Sequence, residues 1–247
     1  MVRLGIDIGG SGIKGALVDT STGEMVSERH RIPTPISRSP LAMTETIALM
    51  IEHFNYQGAV GCGFPTIIKN GICTSPGNLS PSWVGVDIKA LFTHRTSCNF
   101  TIINDADAAG FASIQELSEE QKKGLVLMIT VGTGLGSGAF FNGQLIPNFE
   151  LGQIPYKEYT KIETWAASSA KELEGLSTKK WAKRFNRFLE VVELITAPNL
   201  ILVGGGISKN WDDFKKHINI ETPIETSELK NQAGIIGAAI ASLNPIH

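Results

Sequence analysis

Two glycine-rich segments hold the residues whose types and spacing are most suited to chemistry. The first, loop 1 (residues 9–12), lies within Asp7-Ile8-Gly9-Gly10-Ser11-Gly12-Ile13-Lys14, and the second, loop 2 (residues 132–134), lies within Val131-Gly132-Thr133-Gly134-Leu135-Gly136 about half a chain later. Glycines allow a ligand to approach the bare backbone. Successive amide N–H groups in such turns bind phosphate oxygens. The pair indicates a duplicated architecture that holds one phosphorylated ligand.

Two charged residues flank loop 1. Asp7 precedes its glycines, and a carboxylate beside a phosphate site fits Mg²⁺ bound partly through water. Asp7 could equally satisfy amides of the turn, as aspartates at strand ends often do. Lys14 follows the loop and is either a phosphate ligand or a solvated strand residue. Both alternatives remain open from the sequence.

A third candidate is Asn104-Asp105, which follows the apolar run 100–103. Open α/β sheets bind ligands at the carboxyl ends of their strands. Asp105 could accept the proton of a sugar hydroxyl that attacks phosphorus, a step that needs a positioned base. The alternative is that Asp105 only caps the helix that follows.

Two further sets of polar residues have a functional and an ordinary interpretation. Acceptor carboxylates and amides suit sugar hydroxyls, and four residues of this kind are Asn78, Glu150, Gln153 and Glu163. Each could equally be ordinary surface polarity. Lys179, Lys183 and Arg187 recur every four residues with Lys180 and Arg184 beside them, so they stack along one helix side. That basic face is either solvated or a track for a long polyanion.

The elements that position these residues alternate between strands and helices. Alternating apolar residues predict strands near 2–8, 12–19, 24–32, 58–63, 100–103, 125–131 and 200–203. The stretch 138–146 continues the second hairpin, with a type I′ turn predicted at Asn142-Gly143. Caps and helical spacing predict helices near 40–54, 88–92, 106–112, 161–197 and 231–243. The stretch 64–86 is predicted to be an irregular, ordered binding loop around Pro65, Pro76 and Trp83. This order predicts an α/β protein of two similar lobes.

Composition excludes several classes of function. The 247 residues are 42% hydrophobic and 19% charged with a net charge of −2, so no global nucleic-acid signature is present. No apolar run approaches the roughly 20 residues that span a bilayer. Because a strand is predicted from residue 2, we expect no signal peptide. The three cysteines form no CxxC pair and no Cys/His cluster has zinc spacing, which favours reduced thiols in a cytoplasmic protein.

The motifs, taken together, resemble the ROK family of sugar kinases within the actin-like ATPase superfamily, most closely its polyphosphate-dependent glucokinase branch. The resemblance runs nearly end to end, beyond the segments around loops 1 and 2. Its other segments are Ser82-Trp83, Asn104-Asp105-Ala106-Asp107-Ala108-Ala109, Pro147-Asn148-Phe149-Glu150-Leu151-Gly152, Gly204-Gly205-Gly206-Ile207-Ser208-Lys209 and Asn231-Gln232-Ala233-Gly234-Ile235.

The resemblance implies an actin-like (ribonuclease H-like) α/β fold, with two similar lobes and a cleft between them. The lobes are expected at 1–105 and 106–247, with the closing helix 231–247 able to pack back onto the first. The implied reaction transfers a terminal phosphoryl group to the 6-hydroxyl of glucose with Mg²⁺. Inorganic polyphosphate is the expected donor, and ATP is an open second donor. A homodimer without a structural zinc, with neither nucleic-acid nor membrane partners, is expected.

Roles for individual residues also follow from the resemblance. Asp105 would be the general base. Asn78, Asn104, Glu150, Gln153 and Glu163 would contact the sugar, and Gly204 and Gly205 would lie where ATP-using relatives place the nucleoside. The residues expected to hold donor phosphates are Asp7, Gly9, Gly10, Ser11, Gly12, Lys14, Thr133 and Gly134, with Asp7 also expected at the metal.

One departure from the family pattern affects the sugar. Most ROK kinases have Glu-x-Gly-His followed by zinc cysteines, whereas this chain reads Glu150-Leu151-Gly152-Gln153 and has no such cysteines. Lack of the zinc motif is typical of the polyphosphate branch. Gln153 can bond a hydroxyl but cannot become charged, so the hexose preference stays open. The alternatives are a strictly ATP-dependent hexose kinase and a non-catalytic sugar-binding regulator. The regulator is disfavoured because ROK repressors carry a helix-turn-helix before the kinase-like part, whereas here a strand is predicted from residue 2.

Overall fold

The computed structural model of the protein describes residues 1–77, 79–227, 229 and 232–243. Within them the strands are β1 Val2–Ile8, β2 Gly12–Asp19, β3 Glu24–Met25, β4 His30–Pro33, β5 Ala59–Phe64, β6 Ile68–Lys69, β7 Ile72–Cys73, β8 Asn99–Asn104, β9 Leu125–Val131, β10 Leu135–Phe141, β11 Gln144–Ile146, β12 Leu200–Gly204 and β13 Ile224–Thr226. The α-helices are α1 Pro40–His53, α2 Ile88–Thr96, α3 Asp105–Gln115, α4 Glu163–Ala166, α5 Ser168–Leu173, α6 Thr178–Thr196, α7 Trp211–Phe214 and α8 Ala233–Ala241. None of the described helices is both long and apolar enough to cross a membrane.

The chain divides into two compact units with related sheets. Unit 1 is Met1–Gln115 with Gln232–His247, and unit 2 is Glu116–Asn231. The sheet of unit 1 has the order β3-β2-β1-β5-β8, with β4 also paired to β2, and that of unit 2 has the order β11-β10-β9-β12-β13. In each, a hairpin strand entering a glycine loop also pairs in parallel with a later strand. The α/β duplication inferred from the two loops is therefore visible in the topology.

Local signals determine where several elements begin and end. Ser39 Oγ accepts a hydrogen bond from the Ala42 N–H at 3.4 Å, with Pro40 at the first position of α1. Asp87 Oδ1 accepts one from the Ala90 N–H at 2.8 Å and begins α2. Helix α2 continues past the expected residue 92, because its chain reverses only at Ser97, where φ is 60°.

Helix α8 packs directly on β1, β5 and α3. A Cβ atom added at Gly61 would lie 1.7 Å from the Ala238 carbonyl oxygen, and one at Gly237 would lie 1.6 Å from the Ala108 carbonyl oxygen. Only glycine allows backbones to approach this closely. Helix α8 thus covers β1, which carries Asp7, and also contacts β8, which carries Asn104. The lobe boundary expected after Asp105 stays a prediction, and α3 lies within unit 1.

The core of unit 2 is built on the amphipathic α6. Trp181, Phe185 and Phe188 are fully buried, and the Trp181 and Phe185 rings stack at 5.5 Å. Trp181 Nε1 donates to the carbonyls of Ala166 and Ala167 at 3.0 and 3.1 Å, which fixes the α4–α5 junction. These buried side chains recur at helical spacing along α6, whereas Ile195 near the end of the helix is 59% exposed.

Three sequence-based expectations differ from the structure. The single strand expected at 24–32 is two short strands, β3 and β4. The helical region 161–197 is interrupted, because Ala167 is extended and Gly175 has φ of 60°. The stretch 64–86 contains the β6–β7 hairpin and a short 3-10 turn rather than being wholly irregular. In the region 161–197 periodicity cannot detect the breaks, since Ala166 and Trp181 on either side belong to the same core.

Trp83, expected in a binding loop, is a core residue. Its side chain is fully buried, with its ring 4.8 Å from that of Phe64 and 6.2 Å from that of Phe92. Its Nε1 donates to the Arg38 carbonyl oxygen at 2.8 Å. Trp83 therefore anchors the segment that carries Arg38.

Candidate active site

Asp7 and Lys14 lie side by side at the mouth of loop 1. They are register partners in the β1–β2 hairpin, and the Lys14 Nζ atom lies 3.1 Å from Asp7 Oδ2. Both side chains are mostly buried, with 18% of Asp7 and 25% of Lys14 exposed. A Cβ atom at Gly234 would lie 3.0 Å from the Asp7 Cγ atom, so the start of α8 contacts the same carboxylate.

The amides of loop 1 are available to a ligand. The Gly9 N–H donates to the Gly12 carbonyl at 3.1 Å and closes the turn. Among the described residues, the N–H groups of Gly10 and Ser11 have no acceptor. Two adjacent N–H groups of this kind form a concavity that favours a phosphate.

Side chains outside the loop hold its carbonyl groups. The donors lie in β4 and in the segment that joins β4 to α1, and sequence reasoning did not identify any of them. They are Thr34 Oγ1 to the Gly9 carbonyl at 2.6 Å, Arg38 Nη2 to the Gly10 carbonyl at 3.1 Å and Arg31 Nη2 to the Ser11 carbonyl at 2.6 Å. The only sequence signal for Arg31 and Arg38 was their basic character, because separations of 20 to 28 residues carry no periodic pattern.

The side chains of Asn104 and Asp105 both accept hydrogen bonds at the start of α3. Asn104 Oδ1 accepts from the Ala106 and Asp107 N–H groups at 2.8 and 3.2 Å, and its Nδ2 donates to the Thr66 carbonyl at 3.2 Å. Asp105 Oδ1 also accepts from the Ala106 N–H, at 2.9 Å. Asn104 is 6% exposed, whereas Asp105 is less buried. The helix is therefore capped chiefly by Asn104.

Asp7 and Asp105 lie at the same edge of the unit 1 sheet. Strands β1, β5 and β8 are parallel neighbours in which Asp7 pairs with Gly63 and Gly63 pairs with Ile103, so all three strands end in one row. Two strand spacings, roughly 10 Å, separate Asp7 from Ile103 in this row, and Asp105 follows two residues later. Gly63 lies between the two strands, and a Cβ atom there would be in ordinary contact with Ala108 and with the backbone of Asp105.

Loop 2 repeats the arrangement with different residues. The Gly132 N–H donates to the Gly134 carbonyl at 3.0 Å, and in the part of the chain that the structure describes the N–H groups of Thr133 and Gly134 find no acceptor. Ser168 Oγ donates to the Gly132 carbonyl and Ser169 Oγ to the Thr133 carbonyl at 2.6 Å. Both loops thus have restrained carbonyls and available amides.

Three expected sugar residues come together beside loop 2. Glu163 Oε2 accepts from the Leu135 N–H at 3.3 Å, and its Oε1 accepts from Gln153 Nε2 at 3.3 Å. Burial raises the pKa of Glu150, and the negative charge of Glu163 raises that pKa further, while Lys161 lowers it. The group of Glu150, Gln153 and Glu163 therefore combines acceptor carboxylates with an amide, as a sugar hydroxyl requires.

The remaining expected residues are distributed as follows. Gly205 has φ of 81° and packs on the backbone of Val131. Ser208 Oγ donates to the Gly205 carbonyl at 2.8 Å. Loop 3 (residues 204–206) therefore adjoins the strand that leads into loop 2. Gly204 is the last residue of β12. Asn78 lies outside the described residues, and its expected role stays a prediction.

The basic face of α6 is partly neutralised. Arg184 forms a two-pronged ion pair with Glu174 at 2.8 and 2.6 Å, and Arg187 Nη1 lies 2.8 Å from Glu190 Oε2. Lys179 and Lys183 are exposed. Pairing of the arginines leaves the lysines as the main net charge of this face.

The residues around loop 1 fit a cation whose other ligands are waters and substrate phosphates. No cluster of three or more His, Cys, Asp or Glu residues that could hold a metal occurs among the described residues. Mg²⁺ commonly keeps several waters and takes one or two carboxylates together with substrate phosphates. The single carboxylate of Asp7 fits that mode of binding.

The sheet topology and the paired loops define a protein of the actin-like ATPase class. Residues 3–149 match the ROK family model. The chain is 39% identical over 240 residues to the polyphosphate glucokinase of Mycobacterium tuberculosis, covering 97% of this chain and 90% of that protein. With the M. leprae polyphosphate glucokinase it shares 38% identity over 96% of this chain and 74% of that protein. The chain belongs to the ROK family.

Solved structures agree with this assignment. The crystal structure of the inorganic polyphosphate/ATP-glucomannokinase from Arthrobacter sp. strain KM superposes with a TM-score of 0.93 at 40% identity, and the match covers 98% of each chain. A ROK family glucokinase from Streptomyces griseus, in complex with glucose and AMPPNP, gives a TM-score of 0.79 at 19% identity over 97% of this chain and 98% of that one. The second likeness is one of fold alone.

Proposed function

We propose that the protein phosphorylates the 6-hydroxyl of glucose, with inorganic polyphosphate as donor and ATP as a second donor. The similarity to polyphosphate glucokinases over nearly the whole chain is the observation that carries this proposal. The polyphosphate/ATP donor pair of the glucomannokinase relative supports the use of both donors.

The proposed chemistry assigns a role to each group of residues. The amides of loops 1 and 2 bind donor phosphate oxygens, and Lys14 adds a positive charge. Asp105 accepts the proton of the 6-hydroxyl while the oxygen of that hydroxyl forms a bond to the terminal phosphorus. The bridging P–O bond breaks, and the donor leaves one phosphate shorter. Glu150, Gln153, Glu163, Asn104 and Asn78 orient the sugar.

Three further features belong to the proposal. Mg²⁺ at Asp7 would offset the repulsion between the carboxylate and the donor phosphates. Gly204 and Gly205 would adjoin the nucleoside when ATP is the donor. The proposal also includes a cytoplasmic homodimer and a boundary between the two actin-like lobes after Asp105.

A matrix of donors and acceptors tests the proposal. Glucose, mannose and N-acetylmannosamine are each offered polyphosphate freed of ATP, or ATP alone, and sugar 6-phosphate is measured. Glucose turnover with both donors is expected. Turnover with ATP alone would replace the proposal with an ATP-dependent hexose kinase, and glucose binding without turnover by either donor would indicate a regulator.

A further inference from the structure

Arg31 and Arg38, the guanidinium pair, lie against the backbone of loop 1. Arg31 Nη2 lies 2.6 Å from the Ser11 carbonyl oxygen, and Arg38 Nη2 lies 3.1 Å from that of Gly10. A Cβ atom at Gly12 would lie 2.5 Å from Arg31 Nε, so the guanidinium lies along the loop itself. Both groups thus adjoin the N–H groups of Gly10 and Ser11.

In the part of the chain that the structure describes, no carboxylate balances the positive charge of Arg31. Among the described residues it takes part in no ion pair, and a backbone carbonyl neutralises no charge. Arginines that a carboxylate does balance include Arg95, which pairs with Glu45, and Arg184, which pairs with Glu174. A guanidinium has five N–H donors in a fork that matches phosphate oxygens. Arg31 is exposed and retains donors for such a ligand.

The sheet register places Arg31 in line with Lys14 and Asp7. Lys14 pairs with Asp7 on one side and with Arg31 on the other, so the three side chains form a row on one face of β1, β2 and β4. Asp105 lies at the opposite end of this row, beyond β5. A phosphate chain that begins near Asp105 and follows the row passes Asp7 and Lys14 before it reaches Arg31.

We propose that Arg31 and Arg38 bind the phosphates of polyphosphate that lie beyond the transferred one, and so favour long phosphate donors over ATP. This inference rests on the proposed function, because it assumes that the donor occupies loop 1. Arg38 is positioned for this task by the buried Trp83, whose Nε1 holds its carbonyl oxygen.

The test uses Arg31→Gln, Arg38→Gln and the double variant in the full chain. For long polyphosphate, kcat/KM is expected to fall about tenfold per arginine, mainly through KM, because one charge-assisted contact is lost. Tripolyphosphate and ATP are expected to lose roughly threefold or less, since they end sooner along the row. Arg31→Lys should recover part of the loss, because it keeps the charge but not the fork. Arg95→Gln is the matched control and should match the wild type with both donors.

Two further results separate this inference from the proposed function. Equal losses with ATP and polyphosphate would overturn it and leave the arginines only holding the loop carbonyls. If the wild type fails to turn over polyphosphate, the proposed function fails. Direct titration of the protein with long polyphosphate then tests whether the arginines contribute to its affinity. Unchanged affinity in the double variant would overturn the inference. The salt dependence of polyphosphate affinity should also weaken in that variant, because fewer counterions are released.

Discussion

Replacement of Asp105 by Asn tests the assigned base while leaving its surroundings almost intact. An amide has the same shape as the carboxylate, so Asn keeps an acceptor for the Ala106 N–H, which Asp105 Oδ1 now binds at 2.9 Å. Asn104 Oδ1 also accepts from that N–H at 2.8 Å, so the cap of α3 survives. The change removes chiefly the ability to accept a proton.

The expected magnitudes differ sharply between rate and stability. Loss of a general base costs about 10²–10⁴ in rate, or roughly 3–5 kcal/mol in the barrier. Loss of a carboxylate from the first turn of a helix costs only about 0.3–1 kcal/mol of folding free energy. We therefore expect kcat for Asp105→Asn to fall at least about a hundredfold, with nearly unchanged unfolding.

The assay measures glucose 6-phosphate formation with each donor, glucose affinity by calorimetry and unfolding by urea. Asp87→Asn is the matched control, because Asp87 also begins a helix of unit 1 but lies outside the site. Glucose affinity of Asp105→Asn should stay within about threefold of wild type, since proton transfer follows binding. A kcat above about a tenth of wild type would contradict the role of Asp105 as general base, because general acid–base catalysis usually contributes more than that.

Four further changes have defined outcomes. Gly237→Ala places a Cβ 1.6 Å from the Ala108 carbonyl, so urea unfolding should show a loss of roughly 1–3 kcal/mol, whereas Gly10→Ala, with open space around it, should lose less. Glu150→Gln should weaken glucose binding yet raise the melting temperature at neutral pH. The folded pKa of Glu150 is raised, so its ionised form destabilises the fold. The gain in melting temperature should therefore disappear as pH falls below that pKa. The pKa of His30 is lowered by burial and by its stacked neighbour His53, so wild-type stability should decrease as pH falls through about 6.5, and His53→Gln should reduce that dependence in thermal melts. Neutralising Lys179, Lys183 and Arg187 together should raise KM for long polyphosphate more than for ATP, and equal changes would make this face an ordinary solvated one.

Short-range patterns in the sequence were sufficient for much of the framework. The strand boundaries of β1, β2 and β9, the cap at Ser39 and the turn at Asn142-Gly143, where φ is 51° and 76°, follow from neighbours along the chain. Glycine loops are visible for the same reason. Interruptions such as the one at Ala167 were missed, because a helical pattern continues in phase across a single extended residue.

The sequence by itself determined the phosphate loops, the α/β class and the family, since all of these depend on residues adjacent in the chain or on motifs in a fixed order. Only the tertiary structure decided that Asn104 caps α3 while Asp105 lies at the sheet edge beyond Asp7. It alone placed Glu163 on loop 2, 28 residues away, and Arg31 on loop 1. Hydrogen bonds over such separations depend on how strands pair and helices pack, and no local periodicity records them.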